Sequence, residues 1–122
     1  MAWKFEAGRP LCSQIVDRIR QDVLSGVYGR GEPFPTTRQL AAEAGVNPNT
    51  MQKALTLLEE EGLLVTLGTS GRTVTSDEGV ISTARDIAAG AIVRRAINEA
   101  RPLGIECEEL CEMIRRNWND EQ

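Results

Sequence analysis

Apolar side chains recur every four residues from Leu11 through Ile15 and Ile19 to Val23, with Val16 and Leu24 beside them. Gln14, Asp17, Arg18 and Gln21 fall on the opposite side. That period predicts an amphipathic helix over 11–24, and Gly26 is placed to stop it. Gly29, Gly31 and Pro33 make the next stretch a loop. A short helix is predicted over 37–44, with Leu40 and Ala41 inward. Thr36 suits its N-cap, and Gln39 three residues on completes a capping box. Gly45 accepts the left-handed backbone that a sharp helix-to-helix turn needs. The third helix opens at Asn47-Pro48, a favoured cap followed by proline at the first helical position, where its missing N–H does no harm. Met51, Ala54, Leu55 and Leu58 form its single apolar stripe, and Gly62 closes it.

After Gly62 the helical period gives way to short runs of β-branched and aliphatic residues. Residues 63–67 and 72–75 are predicted to be strands joined by a turn at Gly68-Thr69-Ser70-Gly71. Three helices and a two-stranded hairpin make a winged helix-turn-helix, so the chain is expected to be mainly α with a small β hairpin. Asp77, Glu78 and Gly79 read as a linker. A helix over 81–100 follows, with Ala84, Ile87, Ala88, Ala91, Ile92 and Ala96 on one side, and Pro102 and Gly104 break it. A last helix over 107–118 carries Cys107, Leu110, Cys111, Ile114 and Trp118 on one face. The division expected is a DNA-binding domain at 1–75 and a helical dimerisation region at 76–122. Two amphipathic helices cannot bury both their faces alone, so a second chain is expected against Ala88, Ala91, Ile92, Leu110, Ile114 and Trp118. The run Ala88-Ala89-Gly90-Ala91 would permit close helix approach. Helix propensity alone explains the alanines but not Gly90, which costs about 1 kcal/mol in a helix interior.

With 122 residues, 41% of them hydrophobic and 26% charged, the chain is long enough for one folded domain with an appendage. No apolar run approaches the ~18–20 residues that span a membrane, and MAWKFEAGRP lacks a signal-peptide core, so a cytoplasmic location is expected. Three cysteines are too few for a disulfide scaffold. The absence of histidine removes the commonest metal ligand and general base. No nucleophile–base pair, phosphate loop or metal constellation stands out, so neither an enzyme nor a cofactor is expected. Cys107 and Cys111 share a face and could clip a soft metal, yet their place on the apolar stripe equally suits packing.

The net charge of −4 has the wrong sign for a protein that approaches phosphates. Its distribution removes the difficulty. Residues 1–75 hold eight basic and eight acidic side chains and are neutral, whereas residues 76–122 hold six basic and ten acidic and carry the whole excess. Opposite the apolar stripe of the third helix lie Asn49, Thr50, Gln52, Lys53 and Thr56. Reading the major groove needs such a helix, with one face packed and the other made of hydrogen-bonding side chains. Amides can pair with adenine edges, and threonine can touch a base edge or a phosphate. A merely solvated helix would look the same. Arg38 falls beside the start of that helix, where a guanidinium reaches phosphate or guanine, unless it is an ordinary surface arginine. Gly68, Gly71 and Arg72 would let the hairpin tip approach the minor groove or backbone, although a plain hairpin also wants glycine.

Taken together, PFPTTRQLAAEAGVNPNTMQKALTLLEEEGLL resembles the signature of the GntR family of bacterial transcription regulators, and PLCSQIVDRIRQDVLSGVYGRGEPFP resembles the family's first helix and loop. The likeness covers residues 9–75. Val46-Asn47-Pro48-Asn49-Thr50 and the close ARPLGIECEELCEMIRRNWN are similar to the YtrA-like subfamily, which dimerises through two C-terminal helices. The resemblance implies DNA contacts at Arg38, Asn47, Asn49, Thr50, Gln52, Lys53 and the wing around Gly71. It departs at Thr36, where serine is usual, at Cys12, where an aromatic is common, and at Leu67-Gly68-Thr69, which lacks a basic wing tip. Glu106 stands where a Ser or Thr cap is expected. The function expected is sequence-specific regulation of transcription, as a repressor, by a homodimer on a two-fold symmetric, palindromic operator in double-stranded DNA. The acidic balance motivates the alternative, a winged-helix protein-interaction module without DNA binding. The tail is too short for a ligand-binding domain, and the sequence identifies no small-molecule effector.

Overall fold

Helix α1 (Leu11–Leu24) and helix α2 (Thr37–Ala44) both pack on helix α3 (Pro48–Glu60). The stripes expected to face inward do so except at Leu11, which stays 38% exposed on the first, open turn of α1: Ile15, Ile19, Leu40, Met51, Leu55 and Leu58 are fully buried. Burying each such side chain contributes about 1.5–3 kcal/mol. The local signals fix the ends. Thr36 Oγ1 accepts the Gln39 N–H at 3.1 Å, and Gln39 Oε1 accepts the Thr36 N–H at 2.8 Å. Gly45 ends α2 at φ 78°, where a side chain would be strained. Asn47 caps α3 by accepting the Asn49 N–H at 2.7 Å. The computed structural model describes residues 2–69 and 71–120, so Ser70 of the expected turn lies outside the described residues.

Strands β1 (Leu64–Thr66) and β2 (Arg72–Val74) pair antiparallel, with Leu64 opposite Val74 and Thr66 opposite Arg72. Leu63, Leu64 and Val74 anchor the hairpin in the core. Two further segments close this unit. The loop before α2 lies along β2, with the Gly31 N–H donating to Val74 O and the Phe34 N–H to Arg72 O, both at 3.0 Å. At the N-terminus Trp3 is buried. Its backbone N–H donates to Ala44 O at 3.2 Å, its indole donates to Glu43 at 3.3 Å, and the Arg18 guanidinium stacks 4.4 Å from the ring.

Helix α4 (Glu78–Ala100) starts three residues before the expected position at Ile81. What reads as a linker is a helix start. Asp77 Oδ1 accepts the N–H groups of Gly79 (2.9 Å) and Val80 (3.4 Å), and Ile81 is buried in the core. The chain divides into two compact units, Met1–Ala84 and Arg85–Gln122. In the second, α4 ends at a 3-10 turn (Arg101–Leu103), Gly104 takes φ 75°, and helix α5 (Cys107–Trp118) follows. Glu106 gives α5 no side-chain cap. Glu108 and Glu109 in its first turn and Arg115 and Arg116 in its last complement the helix dipole instead. Among the described residues of this unit only Ala100 is buried.

Candidate nucleic-acid interface

The period that buries Met51, Ala54, Leu55 and Leu58 leaves the other side of α3 in solvent. Asn49, Gln52 and Lys53 are exposed there, and Thr50 and Thr56 are half-buried. Asn47, at the head of this face, is exposed but has its carbonyl oxygen occupied by the cap, so the amide nitrogen is the group it offers outward. Arg38 is exposed on the first turn of α2. The wing tip turns on Gly68 (φ 54°) and Gly71 (φ 92°). A Cβ at either would meet no neighbour within 4 Å, so backbone conformation, not crowding, calls for glycine.

Ion pairing sorts the cations of the N-terminal unit. Arg9 pairs with Glu6 and Asp17, Arg18 with Asp22, Arg20 with Asp17 and Glu61, and Arg30 with Glu78. Exposed pairs add little stability, but each cancels the field of its arginine at a distance. Lys4, Arg38 and Lys53 have no carboxylate partner among the described residues. Two of these three flank the outward face of α3. Residues 1–75, neutral in sum, thus present unpaired positive charge beside the outward face of α3.

Arg72 does not join them. Position 72 pairs with Thr66, and its side chain lies over the end of α3 rather than at the wing tip. Its Nε sits 3.3 Å from the Glu59 carboxylate, and its Nη1 donates to Thr37 Oγ1 at 3.2 Å. The side chain is only 16% exposed, and the Nε contact is an ion pair without hydrogen-bond geometry. Thr37 in turn donates to Gln52 Oε1 at 3.0 Å, while Thr66 donates to Glu59. A polar chain therefore runs from the wing through α2 to the outward face of α3. Sequence reasoning missed Thr37 and Glu59. The available signal was the spacing of Gln52, Thr56 and Glu59 at i, i+4 and i+7, which places all three along one face.

The second unit offers different chemistry. The last turns of α4 and the face of α5 enclose a concavity of about 670 Å³ lined by Ile92, Val93, Ile97, Leu110, Cys111 and Ile114. Cys107 is exposed and Cys111 half-buried, so neither is packed in a core within the chain. Hydrogen bonding to Cys111 and the charge of Glu108 push the Cys107 thiol above its ordinary value, which disfavours the thiolate a metal would bind. Among the described residues no group of three or more His, Cys, Asp or Glu side chains could hold a metal ion, and no helix is long and apolar enough to cross a membrane.

Comparison with known proteins agrees with this geometry. Residues 11–74 match the model of the bacterial regulatory proteins of the gntR family. The HTH-type transcriptional repressor YtrA of Bacillus subtilis (strain 168) is 30% identical over 112 residues, which cover 87% of this chain and 82% of that protein. A GntR family transcriptional regulator from Listeria monocytogenes is similar in structure, with a TM-score of 0.85 and 29% identity over 92% of this chain and 98% of its own. The structure of AraR(DBD) in complex with an operator matches 59% of this chain and 93% of its own, with a TM-score of 0.54 and 25% identity.

Proposed function

Because the chain belongs to the GntR family of bacterial regulatory proteins, DNA-binding transcriptional regulators with a winged helix-turn-helix, we propose that it acts as a homodimeric repressor on a two-fold symmetric operator. The observation that carries the homodimer is the surface of the second unit. Ile87, Ile92, Val93, Leu103, Ile114 and Trp118 remain between 47% and 75% exposed, an apolar area that a soluble regulator covers with another chain. In this reading Ala88, Ala91, Ile92, Leu110, Ile114 and Trp118 meet their counterparts, and the dimer supplies two copies of α3. Half-sites then fall about 10 bp apart, one turn of the duplex. Asn47, Asn49, Thr50, Gln52 and Lys53 face the major groove, Arg38 holds the adjoining phosphates, and the wing at Gly71 follows the backbone, braced by Arg72. Repression is proposed on the likeness to YtrA, which is named a repressor.

The acidic excess lies in residues 76–122, whereas residues 1–75, which carry α3, are neutral in sum, so the net charge of the chain does not count against DNA binding. Selection from a randomised duplex library, followed by anisotropy titration, tests the reading. The recovered site should be a palindrome bound by two chains, with affinity falling as salt rises. Arg38→Ala and Lys53→Ala should each weaken binding and flatten the salt dependence by about one phosphate contact. A reporter behind the recovered site should be silenced. Equal affinity for all sequences, or one chain bound to a single half-site, overturns the proposal.

A further inference from the structure

Gln52 has one polar side-chain group already committed. Arg72 carries only donors, so its contact occupies a lone pair of Thr37 Oγ1. The single Thr37 proton is then free for Gln52, and the atom that receives it is Oε1, at 3.0 Å. The positive guanidinium behind Thr37 reinforces this polarity, drawing the amide oxygen toward it and repelling the amide NH2. Glu59 keeps Arg72 in place from the other side, at 3.3 Å. The Gln52 nitrogen lies 3.5 Å from Thr56 Oγ1, whose own proton goes to the Gln52 backbone carbonyl at 3.0 Å. One N–H of the amide thus remains for a ligand, and the oxygen is turned back into the protein.

A glutamine that reads adenine presents both ends of its amide to the base, the oxygen to N6 and the nitrogen to N7. A glutamine with its oxygen held by Thr37 presents a donor. Adenine and guanine share the N7 acceptor, but guanine places the O6 acceptor where adenine places its N6 donor, so a lone amide N–H distinguishes the two at O6. Resting on the DNA-binding reading above, we infer that Thr37 and Arg72 are positioning residues that make Gln52 a donor-only reader, selecting a G·C pair over an A·T pair at the position it contacts.

Library selection with wild-type protein and with Gln52→Ala identifies the base pair whose preference depends on Gln52. That pair should be G·C, and replacing its guanine by 2-aminopurine, which keeps N7 but lacks O6, should weaken the wild type more than Gln52→Ala. Thr37→Val releases the amide oxygen, so the preference for G·C over A·T there should fall roughly three- to tenfold, while Thr37→Ser should retain it. An A·T pair at the Gln52-dependent position, or a Thr37→Val motif identical to the wild type, overturns the inference. The wild-type result stands as a test even if Thr37→Val fails to fold. If the wild type recovers no motif at all, the DNA-binding reading fails first and this inference falls with it.

Discussion

Helices α3 and α5 are close in length, 13 and 12 residues, and each carries an apolar stripe at i, i+3, i+4 and i+7. Their fates differ. Leu55 has no exposed surface on α3, a helix packed by α1, α2 and β1, whereas Ile114 and Trp118 on α5 keep 47% and 75% of theirs. The N-terminal unit packs α3 on one side and leaves the other polar. The second unit has two helices and too little chain to surround either. An amphipathic pattern therefore specifies a face that must be buried, but not whether the chain itself or a second copy buries it.

The largest expected effect that sharpens this contrast is in the first unit. Leu55→Ala should cost about 2–5 kcal/mol of folding stability, read from denaturant midpoints, because the cavity cannot collapse among fully buried neighbours. A loss below about 1 kcal/mol would mean that this core is far looser than its burial indicates. In the second unit Trp118→Ala should leave the N-terminal unit's unfolding unchanged but raise the dissociation constant of the proposed dimer about ten- to a hundredfold in sedimentation equilibrium. An unaltered dimer would remove α5 from the interface. The smallest effect is expected at Gly90. A Cβ there would meet only the flexible Arg94 side chain, at 3.4 Å, so nothing in the described chain demands glycine. Gly90→Ala should favour the helix by about 1 kcal/mol. If a partner helix approaches there, the added methyl should nonetheless weaken self-association a few-fold, and tighter association would break the proposed close packing.

Much of the fold is legible in the residues themselves. The ends of α1, α2 and α5 and the C-terminal end of α4 fall where periodicity, Thr36 with Gln39, and Pro102 with Gly104 place them. These are local effects, set by neighbours within a turn. The start of α4 was less legible because Asp77-Glu78-Gly79 has the composition of a linker, and the burial of Ile81 that draws the helix forward is a contact with distant residues. Trp3 gave no periodic signal, since its partners Glu43, Ala44 and Arg18 come from two different helices.

The candidate interface divides in the same way. The sequence alone determined that α3 opens at Asn47-Pro48, that its outward face carries Asn49, Gln52 and Lys53, and that the acidic excess lies elsewhere, because helix period and composition do not depend on the rest of the fold. Which cations remain free, and which way an amide points, only the tertiary structure decided. Arg72 looks like Arg38 in a string of letters. Strand register brings Arg72 against Glu59 and against Thr37, 35 residues away in sequence and beyond any spacing rule, and leaves Arg38 in solvent. Charge and hydrogen-bonding capacity belong to residues, but their availability depends on what the fold puts within reach.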